Sequence, residues 1–166
     1  MSAALSGLIY CFEKNLDYAP KLVADVSQSQ MSAQPSPDLP LPMNHPAWVF
    51  SHLNVYLPII HALITGKSFD DPKEHRFGML SQPESNPGIY ADKEELIGYF
   101  VDQHRSILEL LKNADQDLLS KPMPLPRWQP IMPVLGIALP YLMLNHENSH
   151  LGQLSAWRRV MKLPRV

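Results

Sequence analysis

The pentapeptide His146-Glu147-Asn148-Ser149-His150 carries the plainest chemical signal in this sequence. Residues four apart on a helix share a face, so two imidazoles at this spacing can reach one ion at about 2.0–2.1 Å each. The string is also the H-E-x-x-H of zinc proteases, but its surroundings do not fit one. Those enzymes take a third ligand downstream. Only 16 residues follow His150, and none of them is His, Asp or Glu. The extended protease pattern needs Gly and His where this chain has Gln153 and Ala156, and no strand is predicted ahead of the helix. A third protein ligand has to come from upstream.

His52 is the upstream candidate, in mid-stripe on a predicted helix between Trp48 and Val55. A single histidine on an apolar face is usually a core residue with a satisfied hydrogen bond, and that is the reading for His104. Taken together, several inward imidazoles in one small bundle need many polar partners, because burying them unpaired is costly. One metal ion satisfies three ring nitrogens at once. The expected ligands are therefore His52, His146 and His150. Three neutral imidazoles suit zinc, nickel or ferrous iron, and leave coordination positions open, as catalytic sites do. Binding requires the neutral rings, so affinity is expected to fall as pH drops through about 6.5.

Other residues near the motif divide between chemistry and packing. Glu147 points about 100° away from His146 around the helix. It is the candidate catalytic residue, able to reach a water on the ion; the alternative is an outer-shell or surface carboxylate. Gln153, three residues after His150, is placed to orient a ligand. Gly152 is expected to allow close helix packing. Tyr10, Tyr56, Tyr99 and Tyr141 are read as packing residues, and His45, His61 and His75 are assigned no role. Cys11 lies among Leu8, Ile9 and Phe12 and is expected to be a buried, inert thiol.

Four helices must position these groups. The first is predicted over 3–27, broken just before Pro20, with Leu5, Leu8, Ile9, Phe12, Leu16, Leu22, Val23 and Val26 at helical spacing. A Ser-, Gln- and Pro-rich connection, Gln28 to Pro42, reads as extended. The second helix, 44–66, is expected to start on Asn44 as cap with Pro46 in its first turn and to end at Gly66. Its stripe is Trp48, His52, Val55, Ile59 and Leu63, and Pro58 is expected to bend it. A long loop, Ser68 to Ala91, has the length of a functional segment. The third helix, 92–113, opens with Asp92 and Glu95 in capping-box order and presents Leu96, Phe100, His104, Ile107 and Leu111. The fourth, 133–161, presents Leu135, Leu139, Leu142, Met143, His146, His150, Gln153, Leu154 and Trp157. No segment alternates as a strand would. The predicted fold is an all-α four-helix bundle in a single domain, 1–166.

Composition sets outer bounds. The chain has 166 residues, 45% hydrophobic and 18% charged, with a formal net charge of -2, values of an ordinary globular domain. The densest basic stretch, Arg158, Arg159, Lys162 and Arg165, lies at a helix end where cations complement the dipole; nucleic acid is not an expected partner. One cysteine excludes an internal disulfide. The most apolar stretch, Ile131 to Leu144, is interrupted by prolines and too short to span a bilayer. The N-terminus lacks the charged start of a signal peptide. The expected location is cytoplasmic, without membrane association.

Three landmarks give the sequence a resemblance. They are Trp48-x-x-x-His52-Leu53, Tyr90-x-x-Lys93-Glu94-Glu95-Leu96, and His146-Glu147-x-x-His150-x-Gly152-Gln153-Leu154. Together they resemble the DinB-like superfamily over nearly the whole chain. The resemblance implies an up-down-down-up bundle with metal ligands at His52, His146 and His150, the same set the helical stripes select. It also implies a metal-dependent enzyme acting on a small-molecule substrate: a transferase with a low-molecular-weight thiol as co-substrate, or a hydrolase. A homodimer is expected. The competing reading is a non-catalytic metal-binding or structural bundle, a dimerisation or stress-response module, in which the site is empty of metal or closed by a fourth protein ligand.

Overall fold

The computed structural model describes residues 2–36 and 42–166. Its main helices are α1 (Ala3–Tyr18), α2 (Pro46–Thr65), α3 (Lys93–Lys112), α4 (Leu135–Pro140) and α5 (Glu147–Val160). A π-helical turn, Tyr141–His146, joins the last two into one continuous rod. The protein is thus all-helical, four rods with short 3-10 turns between them. No strand occurs among the described residues, only an isolated bridge between Pro122 and Val134.

α2 is the central helix. Fourteen of its twenty residues are buried, as expected of a helix that is apolar nearly all round. Among the described residues it is the one helix long and apolar enough to cross a bilayer, at mean hydropathy 1.4, rather than the Ile131 to Leu144 stretch; yet 72% of that window is buried within the fold. His45, not Asn44, caps it: His45 Nδ1 accepts from Trp48 N–H, and Pro46 follows at the first helical position. Gly66 ends it at φ 71°, a conformation glycine adopts without steric cost. In α3, the Asp92 carboxylate accepts from Glu95 N–H at 2.9 Å, and the whole predicted stripe is buried.

α1 ends at Tyr18, before Pro20, and the chain continues as a 3-10 turn, Pro20–Val23. Cys11 is exposed. It lies one residue, about 100°, off the Leu8–Phe12–Asn15 face, so its apolar neighbours in sequence point elsewhere. Tyr10, Tyr99 and Tyr141 are likewise outside the core, at 61%, 42% and 45% exposure. The Gln28 to Pro42 connection is no plain extended linker where it is described. Gln28–Gln30 form a 3-10 turn, Met31 is buried, and its carbonyl accepts from Ala47 N–H at 2.8 Å. The Pro37–Leu41 part of that connection lies outside the described residues.

The fourth rod departs most from the sequence reading. Pro140 has no N–H to donate and its ring crowds the preceding turn; the backbone passes into a π-helical turn immediately after it. Such turns leave carbonyls poorly served. Asn15 of α1, itself buried, donates its side-chain N–H to Met143 C=O at 3.1 Å. At the far end Arg158 is buried rather than part of a basic surface. It reaches Leu22 C=O, the Asp25 carboxylate and Pro164 C=O, and ties the C-terminal turn to the chain after α1.

Candidate metal centre

The three expected ligands meet. His52 from mid-α2, His146 at the end of the π turn and His150 one turn into α5 place one ring nitrogen each within 4.8 Å of one another. His52 is buried at 4% exposure, while His146 and His150 are half-buried. Ring centroids are 4.5–5.0 Å apart across the three pairs.

The outer partners fix which nitrogen faces inward. His52 Nδ1 is 2.7 Å from Phe77 C=O, and a carbonyl can only accept, so Nδ1 carries the proton and Nε2 presents its lone pair. His150 Nδ1 donates to Gln153 Oε1 at 2.9 Å, freeing its Nε2 in the same way. Asn44 Nδ2 holds that same Gln153 oxygen at 2.7 Å. This is the outer-shell arrangement metal-binding histidines use.

The donor set fits a metal. His52 Nε2 and His146 Nε2 lie 2.9 Å apart; nitrogens around one tetrahedral ion stand about 3.4 Å apart, a small opening away. Burial favours the neutral form of all three rings; the neighbouring rings add to this at His52 and His146, and the Gln153 hydrogen bond opposes it at His150. His52 is lowered to about 4, His146 to about 3, and His150 is lowered as well. Proton competition at His52 and His146 in the folded protein therefore begins well below 6.5, lower than the sequence reading places it.

The loop between α2 and α3 supplies much of this scaffold. Phe77 C=O holds His52. Ser81 Oγ accepts from Trp48 Nε1–H at 3.2 Å, and Trp48 stacks on His52 at 4.7 Å and 15°. Glu84 C=O accepts from His45 Nε2–H at 2.9 Å. A Cβ on Gly78 would sit 2.0 Å from Pro72 C=O, so only glycine lets the loop pass beside Phe77. None of these loop contacts is encoded in a local motif.

Above the triad lies a cleft of about 300 Å³. Trp48, Tyr56, Trp128, Met132, Tyr141 and Leu142 form apolar walls, and Arg127 stands among them. Tyr56, read from sequence as packing only, reaches within 4.6 Å of the His146 ring. Burial raises its hydroxyl above the ordinary value of 10, so Oη keeps its proton at neutral pH. Arg127 forks onto Asp71 at 2.7 and 2.5 Å, which holds Asp71 at about 2. A second cavity, about 490 Å³, lies between α2, α3 and the loop, with Phe77 among its lining residues.

Glu147 and Gly152 take other places than the sequence suggests. Glu147 is buried and its carboxylate meets His104 Nε2 on α3. It is not among the residues lining the cleft. His104 is fully buried and outside the triad, as expected. Gly152 faces open space, where a Cβ would touch nothing within 4 Å, so no close packing explains it. Gln153 does orient a histidine, as expected.

The DinB superfamily model matches residues 12–154. The chain belongs to the DinB superfamily. No curated protein matches the sequence closely enough to serve as a relative.

Proposed function

We propose that His52, His146 and His150 hold one divalent ion, zinc, nickel or ferrous iron, and that the protein is a metal-dependent enzyme acting on a small molecule. The reaction is transfer of a low-molecular-weight thiol to an electrophile, or hydrolysis. The observation that supports it is the triad itself: two inward Nε2 lone pairs fixed by Phe77 and Gln153, beneath an open cleft. When bound, such an ion supplies Lewis acidity that makes a thiol or water nucleophilic at neutral pH. The chain's own groups do the rest. Trp48 and Trp128 shape the cleft, and Tyr56 Oη offers a proton donor beside His146. Among the described residues the metal-ligating group has three members, and a closed structural site would need a fourth.

Glu147 enters this reading as a positioning residue, through His104, rather than as a base. The same reading includes an up-down-down-up course of the rods, one domain over 1–166, a homodimer, a cytoplasmic location, and neither membrane nor nucleic acid as partner. The test is metal analysis of the purified protein, paired with conjugation of a small thiol to a chromogenic aryl halide. About one ion per chain, lost in His52→Ala and His146→Ala, together with metal-dependent turnover of the aryl halide or of an ester, supports the proposal. Equal metal content in wild type and His52→Ala overturns it.

A further inference from the structure

We propose that Arg127 determines specificity in the cleft, receiving through its NH1 nitrogen the carboxylate of a small, otherwise apolar substrate. The inference rests on the triad holding a divalent ion.

A guanidinium has five N–H groups on three nitrogens. Nε donates to Asp71 Oδ2 and NH2 to Asp71 Oδ1. NH1 has only the sulfur of Met79 at 4.0 Å, a weak acceptor. Met79 lines the cleft and is 52% exposed, so the unspent nitrogen lies on the cleft side. The Asp71 fork fixes the plane of the guanidinium, and Trp128 lies beside it, 5.5 Å from centroid to Cζ. The donor is therefore pre-oriented, which lowers the cost of using it.

Charge selects the ligand. Arg127 is the sole permanently charged residue among those lining the cleft, and Asp71 cancels it. With a divalent ion in place, the cleft carries net positive charge surrounded by aromatic and aliphatic side chains. That environment favours a monoanion over a cation, and a charge-assisted hydrogen bond over a neutral one. The rest of the ligand must be apolar: Met79, Ile131 and Tyr141 at the mouth are all largely exposed, which marks a ligand-facing patch. The Asp71 contacts tie the loop to the crossing and leave NH1, with only the Met79 sulfur for a partner, on the cleft side.

The experiment titrates phenylacetate, butyrate and the neutral phenylacetamide into zinc-loaded and metal-free protein, by calorimetry, for wild type, Arg127→Gln and Arg127→Lys. Zinc content and thermal midpoint are measured for each. Phenylacetate should bind the zinc-loaded wild type at least about tenfold tighter than phenylacetamide. Arg127→Gln should remove that preference, with zinc content and phenylacetamide binding unchanged, and Arg127→Lys should restore part of it. Equal phenylacetate affinity in wild type and Arg127→Gln overturns the inference, since the carboxylate is then held elsewhere. So does the absence of saturable binding of either acid to the wild type, or a variant that loses only thermal stability. If Arg127-dependent binding occurs in protein that takes up no zinc, the metal reading fails and the carboxylate site stands.

Discussion

His104 Nε2 lies 3.0 and 3.1 Å from the two carboxylate oxygens of Glu147, and both side chains are sealed from solvent. The other ring nitrogen, Nδ1, donates to Phe100 C=O at 2.9 Å. One proton must lie between Nε2 and the carboxylate, because two lone pairs at that distance would repel. The pair is neutral in sum wherever the proton sits. Phe12 stacks on the imidazole at 4.1 Å, so water cannot replace either partner.

The first prediction is that this pair is strongly coupled. Removing one member leaves a buried polar or charged group alone, which costs about 3–5 kcal/mol. His104→Leu and Glu147→Leu should each lose that much in urea denaturation. The double variant should lose clearly less than their sum. Glu147→Gln keeps a hydrogen-bonding group in place and should retain its zinc. Additive single losses would show that the two groups act separately.

The second prediction contrasts two glycines. Gly78→Ala drives a Cβ into Pro72 C=O, so the loop must shift and carry Phe77 C=O away from His52. Loss of such an outer partner weakens metal binding about 10–100-fold. Gly152→Ala, two residues from His150 but facing open space, should leave zinc affinity unchanged. It should stabilise the helix by about 0.5–1 kcal/mol. Competition with a fluorescent chelator reads both; an unchanged affinity in Gly78→Ala would show that the Phe77 contact is dispensable.

What the sequence made legible follows from how far each signal reaches. His146 and His150 are four apart on one helix, and His52 shares a stripe with Trp48 and Ile59, so local periodicity brought out the three histidines that the fold gathers. The bounds of α2 and α3 followed from Pro46, Gly66 and Asp92. Phe77, Ser81 and Arg127 act through contacts between segments distant in the chain, and no spacing announces them. Glu147 could be placed near His146 but not turned toward His104, since that depends on how α3 and the fourth rod pack. Cys11 shows the same limit at short range: apolar neighbours at adjacent positions say little about a helix face one residue away.

The third prediction concerns the π turn. Asn15 is a buried polar residue on an otherwise apolar face, and Met143 C=O is its partner. Asn15→Leu should cost about 0.5–1.5 kcal/mol, the net worth of the buried hydrogen bond it removes. Because the turn ends at His146, it should also alter the visible spectrum of the cobalt-substituted protein. A stability loss with an unchanged cobalt spectrum would confine Asn15 to packing.

The last prediction is the pH dependence of the metal-free fold. Burial lowers His52 to about 4 and His146 to about 3, and lowers His150, from the ordinary imidazole value of 6.5. As pH falls below 6.5 the unfolded chain takes up protons on these rings while the folded chain does not. The unfolded state then binds more protons, so stability falls with falling pH across the window from 6.5 to about 4 and is flat above it. For fully buried His52 the slope approaches about 1.4 kcal/mol per pH unit at most. Zinc affinity of the folded protein should change little between pH 7.5 and 6.5, because the ligands are already neutral there. Urea denaturation of metal-free protein at pH 7.5, 6.0 and 5.0 checks the slope, with His52→Gln expected to flatten it. A slope that is identical in His52→Gln would show that His52 does not titrate between the folded and unfolded states in this window.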